Sequence, residues 1–270
     1  MKTLTARLQR NSIILALATG LVLFGHFVLQ VSLRPTAVYS GWVLAGFVAL
    51  LASYNLFKKV SFLPLGASAV WLQIHIYAGL LSILVFVLHA GLRLPHGPIG
   101  WMLALLFAGV AGSGLVGLVM SRTFPALLRV RGPEVIFEQI PRLRRRVREQ
   151  AEQLVLQAVE QQQSTVIADF YVQRLQWFFA GPRYFWRHVL RLANRRDLLL
   201  TAIDAQERYL DEQERQVVRE LRRLVKEKDN LDFQYALQAL LKFWLFVHVP
   251  LTCALCVIAA IHVLVVYAYK

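Results

Sequence analysis

Carboxylates are missing from most of this chain. All 16 aspartates and glutamates lie between Glu134 and Asp232, and the segments on either side carry none. Cation carriers usually place carboxylates at membrane depth, so this absence argues against an ion pathway through the flanking segments. Cysteine is scarce as well. The only two, Cys253 and Cys256, stand in an apolar run, which excludes a disulfide framework and a zinc knuckle. No Walker loop, dinucleotide fingerprint or cysteine cluster occurs, so the charged stretch carries no catalytic signature.

What the chain has instead is oil. Of its 270 residues 57% are hydrophobic, and the mean hydropathy of +0.50 belongs to a membrane protein. A net charge of +14 would suggest nucleic acid in a soluble chain. Here the acids alone divide the sequence into three parts, and no nucleic-acid partner is expected. The reading is an all-α membrane protein: transmembrane helices one to four in residues 1–120, a cytoplasmic helical domain in 121–238, and a fifth transmembrane helix in 239–270. The whole is a five-helix bundle with a helical insertion before its last span.

Crossing about 30 Å of hydrocarbon takes roughly 20 apolar residues. Five runs qualify: Ser12–Leu33, Val38–Phe57, Gly66–Leu92, Ile99–Met120 and Leu240–Tyr269. The first follows a basic start but has a long apolar core and no clear small-x-small site, so it reads as an uncleaved helix. Lys2, Arg7, Arg10, Lys58 and Lys59 outweigh Arg34 and Arg93 on the opposite loops. The positive-inside rule then sets the N-terminus and residues 121–238 in the cytoplasm and Lys270 outside, in an integral protein of a bacterial inner membrane.

The charged middle reads as helical. "PRLRRRVREQAEQLVLQAVEQQQ" opens with a proline suited to a first turn, and "AGPRYFW" breaks the pattern at Gly181–Pro182. From Asp197 a long segment carries Leu200, Ile203, Leu210, Val217, Leu221 and Leu224 near one stripe, and can run through "KDNLDFQYALQALLK" into the fifth span. A connecting hairpin and a docking platform suit this stretch equally. Its "RLRRRVR" suits anionic headgroups, an acidic partner or plain solvation.

Four histidines stand out against this background. "HIYAGLLSILVFVLHAG" holds His75 and His89; "HVPLTCALCVIAAIH" holds His248 and His262, at the same fourteen-residue interval. Fourteen residues of helix advance about 21 Å and turn about 1400°, nearly four turns, so each pair shares one face. The third and fifth helices of an odd-numbered bundle run parallel. His75 is therefore expected opposite His248 at the inner side, and His89 opposite His262 at the outer side. Two facing imidazoles at each level suit the two axial positions of a haem iron that shuttles one electron. A lone membrane histidine such as His26 reads instead as an interhelical hydrogen-bond partner.

Around these, Gly79 and Ala259 are small enough for a porphyrin to approach, and "AGVAGSGLVG" gathers Gly109, Gly112, Gly114 and Gly117, which helix packing also explains. Lys58, Lys59 and Lys242 inside, and Arg34 and Arg93 outside, are candidates to neutralise propionates. "CALC" is followed by Val257 where covalent haem attachment needs histidine, so the cysteines read as packing residues.

The four histidines and their topology resemble the cytochrome b subunits of quinol-oxidising complexes. Their place on the third and fifth helices, with a cytoplasmic connection after the fourth, is still more similar to the ferric reductase-like transmembrane domain. The resemblance covers the membrane portion and implies two b haems held by His75, His89, His248 and His262. That family usually adds a sixth helix and flavin and nicotinamide domains, whereas this sequence stops at Lys270, just past the fifth helix, and carries a long insertion. The expectation is an electron-transfer subunit of a quinone-linked oxidoreductase complex, with iron-sulfur, flavin or c-type cytochrome proteins as partners and quinone as a further cofactor. A metalloreductase or oxidase core and a haem-free scaffold are the alternatives. His96, in "RLPHGP", is either a quinol-proton acceptor or a loop residue without a role.

Overall fold

In a computed structural model, residues 2–59, 68–91, 93–131, 133–162, 165–190, 192, 195–206 and 210–269 are described, with side chains of residues 2–9, 55–59, 68–69, 161–162, 195 and 206 left aside. All regular structure among them is helical. The helices are α1 (Lys2–Val31), α2 (Thr36–Lys59), α3 (Ser68–Ala90), α4 (Gly97–Val130), α5 (Ile140–Gln162), α6 (Thr165–Phe170), α7 (Gln176–Phe179), α8 (Phe185–Val189), α9 (Arg195–Gln206) and α10 (Glu212–Ala268). A π turn, Tyr171–Leu175, joins α6 to α7. Five of these, α1 to α4 and α10, are long and apolar enough to cross a membrane. The ends of the third expected span, Gly66, Ala67 and Leu92, and the terminal Lys270 fall outside the described residues.

The chain divides into two units, Met1–Val119 with Trp244–Lys270, and Met120–Phe243. In the first, α3 packs mainly on α2, and α1 touches both. Its large apolar side chains, among them Phe24, Leu105, Phe246 and Leu264, point outward as lipid-facing residues do. Its interior is small: Ala78, Val85, Phe107 and Leu255, with Phe86 stacked on Phe107 at 4.2 Å. α1 ends in a Schellman turn in which the Arg34 amide donates to the Leu29 carbonyl and Leu33 takes the left-handed position, just before Pro35. Gly91 takes that conformation two residues past His89 and stops α3 there.

The second unit inverts this pattern. On α5 the apolar stripe Ile140, Val147, Ala151, Val155 and Ala158 faces inward, against Ile167, Tyr171, Leu175, Phe178 and Phe179, with Ile203, Leu221, Leu224 and Val225 completing the core. Its buried set also includes Lys228, Asp229, Asp232 and His188. Lys228 and Asp232, 2.5 Å apart, staple the break between α7 and α8: Lys228 Nζ donates to the Gly181 carbonyl at 2.8 Å, and the Arg183 amide donates to Asp232 at 3.0 Å. Arg131 and Arg144 neutralise Asp229 and Asp232 further, at 3.1 and 3.4 Å. Burial draws the Lys228 ammonium below its ordinary pKa, against the pull of Asp232. Gln234 and Gln238 bind the backbone of Pro133 and Val135, so that this non-helical stretch keeps its hydrogen bonds.

The single stripe expected from Asp197 onward is in fact two helices. Asp211 caps α10, accepting from the Glu214 amide at 2.7 Å while Glu214 accepts from the Asp211 amide at 3.1 Å. Ile203 on α9, and Leu210, Leu221 and Leu224 beyond it, still reach one core. α4 also runs on past the expected Met120 to Val130, through Pro125.

Candidate functional site

α3 carries His75 and His89, and α10 carries His248 and His262. His75 lies within electrostatic reach of His248, and His89 within reach of His262. Side chains from α2 and α4 reach His89 and His248 in turn.

His89 Nδ1 is 3.0 Å from the Ala37 carbonyl and 3.3 Å from Ser40 Oγ. A carbonyl only accepts, so Nδ1 carries the proton and the Nε2 lone pair is left free for a metal. The Ser40 hydroxyl spends its own proton on the Thr36 carbonyl at 2.7 Å. Gly41 comes next, and a Cβ there would sit 2.9 Å from His89 Cε1, closer than such atoms approach. Only glycine lets the ring lie where it does.

His248 repeats the arrangement on α4. Its Nδ1 is 2.7 Å from Ser113 Oγ, whose proton goes to the Val110 carbonyl at 2.9 Å. The hydroxyl therefore accepts from Nδ1–H, and Nε2 is again the free nitrogen. Gly114 follows, where a Cβ would come 3.8 Å from His248 Cε1. The Trp244 indole stacks on the His248 ring at 5.2 Å and donates from Nε1 to the Ser113 carbonyl at 2.7 Å. Gly117 makes room for that indole, since a Cβ there would collide with it. Thr252 donates to the His248 carbonyl at 2.9 Å, beside Pro250 inside the same helix.

The Tyr54 ring lies 4.9 Å from His75, whose buried Nδ1 has no hydrogen-bond partner among the described residues. His262 is half-buried. Gly79 is half-buried, and a Cβ there would meet only Leu51, at 4.0 Å. Arg34 and Arg93 are exposed, and the Lys58 and Lys59 side chains lie outside the described residues. Lys242 belongs to the other unit, where it pairs with Glu138 and lies over the Phe137 ring. That ion pair draws the Glu138 carboxyl below its ordinary pKa. His26 pairs with Gln30 at 3.2 Å within α1, and His96 is exposed. Cys253 and Cys256 are free thiols.

Sequence reasoning passed over Ser40, Gly41, Ser113 and Trp244. A usable signal existed: the chain has two Ser–Gly steps, 40–41 and 113–114, and each meets a histidine. Among the described residues no three histidine, cysteine or acidic side chains gather into a metal cage. No protein-family model matches the chain, and comparisons with curated proteins and with solved structures return no match either.

Proposed function

We propose that this protein is a di-haem b-type membrane cytochrome that carries electrons across the bilayer as a subunit of a quinone-linked redox complex. What carries the reading is that His75 of α3 lies within electrostatic reach of His248 of α10, and His89 of α3 within reach of His262 of α10. The donor set fits the group. His89 and His248 have their Nδ1 protons engaged, which leaves Nε2 as the free donor of each. Two imidazoles at a level would suit a macrocycle that brings the other four donors. The buried His75 Nδ1, without a partner among the described residues, marks a polar ring whose place in an apolar interior needs a reason.

His75 and His248 would hold one haem, and His89 and His262 the other. When bound, the iron supplies reversible one-electron chemistry tuned by its axial ligands. The chain's own residues fix ring orientation, exclude water with their apolar surroundings and hold no acid at membrane depth. On this reading the N-terminus and residues 121–238 lie on the cytoplasmic side of a bacterial inner membrane, and the C-terminus lies outside. Iron-sulfur, flavin or c-type cytochrome proteins and the quinone pool would exchange electrons with it.

The test is a reduced-minus-oxidised visible spectrum of the purified full chain, from haem-supplied cells, with extracted haem counted per chain. Two non-covalent, low-spin b haems are expected. A folded preparation without haem would overturn the reading and leave a membrane scaffold in its place.

A further inference from the structure

We infer that the two Ser–Gly steps, Ser40–Gly41 and Ser113–Gly114, are positioning devices, one for each histidine pair, and that each tunes the redox potential of its own pair independently of the other. The inference rests on the di-haem reading above and adds residues to it.

A serine inside a helix commonly returns its proton to a carbonyl of the preceding turn and does nothing more. Ser40 and Ser113 do this, toward Thr36 and Val110, and each then turns its lone pair to an imidazole of another helix. The following glycine removes the Cβ that would stand 2.9 Å from His89 Cε1 or 3.8 Å from His248 Cε1. The same two-residue step on α2 and on α4 thus supplies an acceptor for Nδ1–H and space beside the ring. Each histidine pair has one member seated this way: His248 in one, His89 in the other.

The chemical consequence follows from the hydrogen bond. An imidazole whose distal N–H is engaged is a more basic ligand, and a more basic ligand favours ferric over ferrous iron. Removing the acceptor should therefore raise the midpoint potential of the haem served by that histidine. The two seats differ in strength. His248 Nδ1 has Ser113 Oγ at 2.7 Å, whereas His89 Nδ1 has the Ala37 carbonyl at 3.0 Å ahead of Ser40 at 3.3 Å. Ser113 should matter more than Ser40, because a backbone carbonyl survives any substitution.

The experiment is an anaerobic redox titration of the full chain in lipid nanodiscs, wild type against Ser113→Ala, Ser113→Thr and Ser40→Ala, with haem counted in every preparation. With haem content intact, Ser113→Ala should raise one midpoint and leave the other unmoved. The expected change in the ferrous-to-ferric ratio at fixed potential is on the order of tenfold, or about 59 mV for one electron. Ser113→Thr, which keeps the hydroxyl, should titrate as wild type. Ser40→Ala should raise only the other midpoint, and by less. Unmoved midpoints in Ser113→Ala, or both moving together, would overturn the inference while leaving the di-haem reading intact. Should Ser113→Ala lose haem, Ser40→Ala decides: a shift confined to one midpoint supports the inference, and no shift overturns it. A wild-type chain without haem would remove the reading itself, and the inference with it.

Discussion

In the unit made of Met1–Val119 and Trp244–Lys270, the buried polar residues among those described are neutral: Ser40 and Ser82. In the unit Met120–Phe243 they include Lys228, Asp229 and Asp232, all at most 2% exposed. The first unit turns its apolar side chains outward; of its buried serines, Ser40 meets the His89 imidazole and Ser82 donates to the Gly79 carbonyl of its own helix. The second turns its apolar side chains inward and buries full charges, each matched by an opposite one. Lipid makes an unmatched polar group costly on every side, so the first unit holds few and ties them down. A unit whose apolar side chains face inward can bury a charge network when the network also satisfies a broken backbone, as Lys228 and Asp232 do between α7 and α8. Polar burial is thus confined to neutral hydroxyls in one unit and includes paired charges in the other.

The contrast can be broken most severely at Asp232. Asp232→Ala leaves Lys228 buried without its partner and the Arg183 amide without its acceptor, and should cost about 3–5 kcal/mol. Chemical denaturation of the purified chain, followed by the fluorescence of its tryptophans, measures this; a loss within experimental error would show the network to be dispensable.

Ordinary packing comes next. Leu224 is fully buried in the same unit, and Leu224→Ala should cost about 2–5 kcal/mol in the same assay. A smaller loss would mean that the core collapses into the space.

A smaller effect concerns His188, which is 4% exposed and lies 3.8 Å from Asp229. Burial holds its pKa below the ordinary 6.5, against the opposing pull of Asp229 and Asp232. The folded chain therefore favours neutral imidazole, and the unfolded chain takes up the proton first. The stability this contributes is complete above about pH 6.5 and declines as pH falls from there toward the lower folded value. Melting curves between pH 7.5 and about 5.5 should show that decline in the wild type and a shallower one in His188→Gln. Equal slopes would remove His188 from the account.

Least should happen at Glu138. Its pair with Lys242 is exposed on both sides, and Glu138→Gln should leave the denaturation midpoint unchanged.

The sequence made the spans legible because the bilayer dictates length and composition together; five acid-free apolar runs of that length suit lipid and little else. It showed where apolarity stops rather than where helix stops. α4 therefore continues beyond Met120, and α10 begins at Glu212, behind the capping box of Asp211 and Glu214. The histidine interval was visible because a repeated spacing of a costly residue is rare. Its supports were not, since serine and glycine in an apolar helix read as packing residues until their neighbours are known. The buried charges of "KDNLD" were hidden for a related reason: apolar periodicity says which face is oily, and these charges face inward only because Gly181 and the arginines of other segments meet them.

The most direct measurement is haem content per chain in four single variants, His75→Ala, His89→Ala, His248→Ala and His262→Ala, prepared beside the wild type. The account predicts two haems in the wild type and one in each variant. It further predicts that His75→Ala and His248→Ala lose the same spectral component, while His89→Ala and His262→Ala lose the other. Variants that keep the full wild-type content, or that lose components in any other pairing, would contradict it.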